Sequence, residues 1–143
     1  MLLVHGTTVE ITGHGVLIRG PSGSGKSDLG LRLIDGGAQL VADDQTELLP
    51  RAGRLIARVP DSIAGLMEVR GMGVITVAHR AWVPLALVVD LVADDEVERM
   101  PAPGVAEFLG LSVPRLAIAP FQASAAAKVR LAMHLATRDI MRM

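Results

Sequence analysis

Cysteine is absent from the 143 residues, which excludes disulfides and thiolate metal sites and fits a cytoplasmic protein. Tyrosine is absent too, and the aromatic residues are Trp82, Phe108 and Phe121 alone. With so few stacking rings and a net charge of −1, the chain lacks what a nucleic-acid binder needs, so no nucleic-acid partner is expected. Long apolar runs are missing as well. Residues 82–89 contain Pro84 and stop at Asp90, far short of the ~20 residues of a membrane span. Residues 1–6 show neither a basic nor an apolar leader segment, so neither a signal peptide nor a membrane partner is expected. No repeat or linker divides the chain, and the Pro-rich stretch at residues 100–104 reads as an internal loop. Half of the residues are hydrophobic and the mean hydropathy is +0.43, enough for one domain spanning residues 1–143 with its own core.

Lysine is nearly absent: of 14 basic residues only Lys26 and Lys128 are lysines. Lys26 lies in Gly20-Pro21-Ser22-Gly23-Ser24-Gly25-Lys26-Ser27, the spacing of a phosphate-binding P-loop. Glycines let consecutive N–H groups curl toward phosphate oxygens, and the helix that follows adds its dipole. Lys26 is placed to reach the β- and γ-phosphates, and Ser27 to ligate Mg²⁺. A chain that otherwise uses arginine has kept a compact ammonium at this one position.

Around that loop the chain reads as α/β. Residues 2–11 form a strand, Gly13-His14-Gly15 a turn, and residues 16–18 a second strand feeding the P-loop. So short a connection makes the pair antiparallel. Residues 26–35 form the P-loop helix, with Leu29, Leu33 and Ile34 buried and Gly36-Gly37 as its stop. Residues 39–42 are a strand ending on Asp43-Asp44, where a carboxylate that contacts the metal belongs. A hairpin turns at Ala52-Gly53, and residues 61–65 are a turn or short helix. Residues 66–73 hold Glu68 and Arg70 beside Gly71 and Gly73, a poor core strand that suggests backbone approaching a ligand. Residues 84–92 are a central strand and residues 117–120 a short one. A terminal helix covers residues 123–141, with Val129, Ala132, Met133, Ala136 and Ile140 on one face.

Four motifs occur in order: Val4-His5-Gly6, the P-loop, Leu40-Val41-Ala42-Asp43-Asp44, and residues 67–75 from Met67 to Ile75. Together they resemble the catalytic domain of bacterial HPr kinase/phosphorylase, most clearly over the first half of the chain. The resemblance implies the P-loop fold shared with phosphoenolpyruvate carboxykinase, a mixed, partly antiparallel sheet with flanking helices. It also implies an ATP- and Mg²⁺-dependent serine kinase that acts on HPr, a phosphocarrier protein of the sugar phosphotransferase system, and so regulates carbohydrate metabolism. Because the chain starts at the His-Gly motif, a short, core-only form is expected. The family tends towards hexamers, so a homo-oligomer is possible. Carried over by position, Asp44 is the general base, His5 and Lys26 are active-site residues, and Ser27 and Glu68 contact the metal; Asp43, at the end of its strand, is a further metal candidate from the residues themselves. Adjacent residues at a strand end point to opposite faces, so one carboxylate of the Asp43-Asp44 pair can face the substrate and the other the metal or core; only the resemblance selects Asp44 as the base. Arg99 is the candidate for the family's catalytic arginine.

One departure concerns the reverse, phosphorylase reaction, in which phosphate attacks phosphoserine. The family places an arginine- and glycine-containing loop before the last helix, whereas this chain has Ala119-Pro120-Phe121-Gln122-Ala123-Ser124. Losing those donors argues against the reverse reaction. Two other readings use the same motifs: a P-loop kinase for a small metabolite, and an ATP-sensing regulatory module without catalysis.

Overall fold

The structure, a computed structural model, describes the backbone of residues 1–141 and the side chains through Arg138. In chain order the elements are β1 (Leu2–His5), β2 (Thr7–Ile11), β3 (His14–Arg19), α1 (Lys26–Asp35), β4 (Gln39–Ala42), β5 (Gln45–Arg51), β6 (Arg54–Arg58), β7 (Leu66–Val69), β8 (Gly73–Thr76), β9 (Trp82–Leu91), β10 (Gly104–Phe108), β11 (Leu111–Ile118) and α2 (Ala125–Met141). One-turn 3-10 helices lie at Asp61–Ile63 and Asp94–Glu96.

The expected strand over residues 2–11 is broken at Gly6 into β1 and β2. The partner strand bends at the same level, between β4 and β5. The cause is tertiary: a Cβ on Gly6 would stand 2.8 Å from both the Ile18 carbonyl oxygen and Leu17 Cδ1. The Gly6 N–H donates to the Asp44 carbonyl at 2.8 Å, and Thr46 Oγ1 donates to the Gly6 carbonyl at 3.1 Å. Beyond this seam β2 pairs with β3 and β5 with β6, and both β3 and β6 pair with β9, so the sheet closes on itself. The β3–β9 and β9–β11 pairs are parallel and the others antiparallel. A mixed sheet is what the sequence leads one to expect.

Alternation along the strands separates two cores. Leu17, Leu48, Leu55, Ala57, Val83 and Val88 fill the inside of the closed sheet. Val16, Ile18, Leu87 and Val89 face outward, where Leu29 and Leu33 of α1 and Val129 and Met133 of α2 cover them. A bulge in β9 makes the change of face: Gly15 pairs with Leu85 but Val16 with Leu87.

Several local expectations are corrected. The first hairpin turns at Thr12-Gly13, both at positive φ (48° and 89°), so His14 and Gly15 already belong to β3. Residues 66–76 form a separate two-stranded hairpin, β7–β8, and the positive φ of Gly71 and Gly73 serves its turn. Of the short strand expected at residues 117–120, residues 117–118 are the end of the longer β11 and residues 119–120 lie beyond it; β10 pairs with β11 from residue 104 onward. In α1, Leu29 and Leu33 are fully buried and Ile34 is half-buried. In α2, Val129 and Met133 are buried and Ala132 and Ala136 half-buried, while the Ile140 side chain lies outside the described residues.

Candidate active site

The P-loop leaves the end of β3 and folds tightly on itself. A Cβ on Gly20 would stand 2.4 Å from Ser24 Oγ, and Ser24 N–H donates to the Pro21 carbonyl at 3.0 Å. Gly23 and Gly25 have φ of 79° and 101°, the left-handed region that only glycine enters without strain. Gly25 caps α1 with no side-chain hydrogen bond, leaving the first-turn N–H groups available to an anion. Lys26 is buried, and its Nζ donates to the carbonyls of Gly20 and Pro21 at 2.8 and 3.0 Å.

β4 delivers the two aspartates to different places. Asp43 is buried, and its Oδ1 accepts from Ser27 Oγ at 2.7 Å and from Thr7 Oγ1 at 2.9 Å. Its Oδ2 accepts from the Glu68 N–H at 2.9 Å. Three donors from β2, α1 and β7 therefore fix this carboxylate. Asp44 turns outward at φ 69°, and its Oδ1 lies 3.4 Å from His5 Nε2, both side chains being about two-thirds exposed.

A cavity of about 360 Å³ opens over these groups, lined among others by Lys26, Ser27, Asp44, Glu68, Arg70 and Phe121. The donor set fits a nucleotide with a hard cation. Glycine-shaped backbone and an ammonium suit the phosphates, and Ser27 Oγ, 2.7 Å from the Asp43 carboxylate, offers only oxygen to a metal such as Mg²⁺.

The sequence model of the HPr Serine kinase C-terminal domain matches residues 1–129. The chain belongs to that family. It is 41% identical over 128 residues to the HPr kinase/phosphorylase of Variovorax paradoxus, an alignment covering 80% of this chain and 40% of the relative. To the enzyme of the same name from Clostridium beijerinckii it is 46% identical over 74 residues, covering 52% of this chain and 24% of that one. The chain thus spans well under half the length of these relatives. Among solved structures, the Hpr(Ser) kinase/phosphatase from Coxiella burnetii superposes with a TM-score of 0.85 at 27% identity, covering 100% of both chains. The fold expected of the HPr kinase type is the fold observed.

Of the residues singled out from the sequence, the structure gathers Lys26, Ser27, Asp43, Asp44, Glu68 and the P-loop glycines in one place, with His5 against Asp44. It does not bring Arg99 there. That residue is exposed beyond the Asp94–Glu96 turn, outside the cavity lining, and the arginine that lines the cavity is Arg70. Thr7 was missed because its role comes from a contact 36 residues away. Phe121 stands in the sequence only as a member of the loop at residues 119–124, and its place at the cavity comes from the fold.

Proposed function

We propose that this chain is the catalytic unit of an ATP- and Mg²⁺-dependent protein kinase that phosphorylates a serine of HPr or a related phosphocarrier. Family membership supports the substrate class, since the relatives carry HPr kinase in their names. The observation that carries the reaction is the pairing of an exposed, His5-braced Asp44 with a fixed Ser27–Asp43 couple at one cavity.

In this reading the P-loop N–H groups and Lys26 bind the polyphosphate. Ser27 and Asp43, with Glu68 beside them, would hold Mg²⁺, which would supply neutralisation of the phosphate charge. Asp44 accepts the proton of the substrate serine as its oxygen bonds to the γ-phosphorus. The bond from that phosphorus to the β–γ bridging oxygen breaks, and ADP departs with the electron pair. His5 orients the Asp44 carboxylate. Arg70 lines the same cavity and adds a second cation to Lys26. Only the forward direction is proposed, because residues 119–124 contain neither arginine nor glycine.

Incubating the protein with labelled ATP, Mg²⁺ and a panel of HPr-like phosphocarriers tests this directly. Label on a carrier serine is the expected result. Tight ATP binding with no label on any carrier would overturn the carrier-kinase assignment and leave a small-metabolite kinase or an ATP-sensing module.

A further inference from the structure

Phe121 is an apolar ring left 72% exposed at the lip of the cavity. Its position is built rather than incidental. Two ring atoms, Cζ and Cε1, lie 3.0 and 3.1 Å from where a Cβ on Gly25 would stand, so the absence of a side chain at Gly25 lets the ring sit directly over the P-loop backbone. The backbone on either side is tied down. The Arg32 guanidinium, which also pairs with Asp28 at 3.1 Å, donates to the Pro120 carbonyl. The Gln122 carbonyl accepts from Ala125 N–H at 3.1 Å, and Gln122 Oε1 accepts from Lys128 Nζ at 3.0 Å. The loop is held while the ring is free, which is what preorganisation for a ligand requires.

Topology says which part of a nucleotide the ring would meet. Across the sheet the strands run β4, β2, β3, β9, β11. The P-loop follows β3, the Asp43-Asp44 pair follows β4 on one flank, and Phe121 follows β11 on the other. The flank of Asp44 and Glu68 handles the reacting phosphate, so the nucleoside end falls on the flank of Phe121. Leu31, half-exposed and three residues beyond Asp28 on the same face of α1, lines the same cavity.

We propose that Phe121, with Leu31 lining the same cavity, is the stacking platform for the nucleobase, an assignment that rests on the nucleotide-binding reading above. Asp28, the carboxylate at that end, is already paired with Arg32. The base is therefore held by its face rather than read at its edge, and adenine and guanine nucleotides bind with similar affinity, because every base offers a π-face.

The test is calorimetric binding of ATP, GTP and inorganic tripolyphosphate, each with Mg²⁺, to the wild type, Phe121→Ala and Phe121→Trp. Phe121→Ala is expected to weaken ATP and GTP by about tenfold or more. It should leave tripolyphosphate within about twofold, and Phe121→Trp should keep nucleotide affinity. ATP affinity unchanged in Phe121→Ala overturns the platform, most clearly if the KM for the carrier protein rises instead. An equal loss of tripolyphosphate also overturns it, since the ring would then be shaping the P-loop. A wild type that binds neither ATP nor tripolyphosphate defeats the nucleotide reading itself, a separate result.

Discussion

Asp43 and Asp44 are adjacent carboxylates with opposite fates. The first is enclosed by three donors, Ser27 Oγ, Thr7 Oγ1 and the Glu68 N–H. The second, at φ 69°, stands in solvent with His5 beside it. A carboxylate held by three donors is a fixture, whereas one that faces a cavity has a lone pair to give an incoming hydroxyl. If Asp44 is the base proposed above, replacing it by Asn keeps shape and polarity but removes the proton acceptor, so phosphotransfer should fall by about 10²–10⁴-fold. ATP affinity should change by no more than a few-fold, because Asp44 makes no hydrogen bond to the P-loop. Single-turnover transfer and calorimetric ATP binding on the same preparation separate the two effects. A variant that still transfers phosphate at the wild-type rate refutes the assignment. At this scale the sequence was informative about identities and silent about division of labour: adjacency implied two faces, but the direction of each came from contacts with β2, α1 and β7.

At the scale of elements, what was legible had local causes. α1 runs from Lys26 to Asp35 and β4 from Gln39 to Ala42, and both boundaries are written in glycines and in hydrophobic period. The β5–β6 hairpin turns at Ala52-Gly53 with φ of 52° and 77°, a glycine-bearing two-residue turn. The β10–β11 hairpin turns the same way at Leu109-Gly110, with φ of 53° and 78°, but leucine is a residue no turn rule favours at a positive φ. Pro114 inside β11 also hides the strand, since proline lacks a ladder N–H, and it is accommodated where β11 pairs with β10 alone. The break at Gly6 had no local signature, because it answers to Leu17 and Ile18. It does make a prediction. A methyl at Gly6 would meet a main-chain carbonyl that cannot swing aside, so Gly6→Ala should destabilise the fold by about 1–3 kcal/mol. It should also separate His5 from Asp44 across the seam. Urea denaturation reads the first effect; wild-type stability in the variant would show that the seam tolerates a side chain.

For the whole molecule, the question is what holds the carboxyl ends of the parallel strands together beneath the P-loop. Asp90 of β9 receives Arg19 of β3 through two hydrogen bonds at 2.8 and 2.9 Å, and Arg115 of β11 through its Nε. The Arg19 guanidinium also lies 5.4 Å from the centre of the Phe108 ring of β10. Three strands, β3, β9 and β11, are thus joined at one carboxylate, and Arg19, the residue before Gly20, reaches β10 through Phe108. Burial pushes the Asp90 carboxyl up, but the hydrogen bonds and charges of the two guanidiniums outweigh it, and its pKa lies below the ordinary 3.8. A carboxyl that is more acidic in the folded state contributes stability above its unfolded pKa and loses it as pH falls through the folded one. Asp90→Asn should therefore be less stable than the wild type at pH 7, by about 1–3 kcal/mol for charged hydrogen bonds at a partly solvated site. That deficit should shrink below the unfolded value near 3.8, where the wild-type carboxyl also begins to protonate. Chemical denaturation of both proteins at pH 7 and again near the acid limit of folding measures the difference. A deficit of the same size at both pH values would mean that Asp90 acts through shape alone. A deficit that vanishes in acid identifies the charge itself as what clamps β3, β9 and β11 under the nucleotide loop.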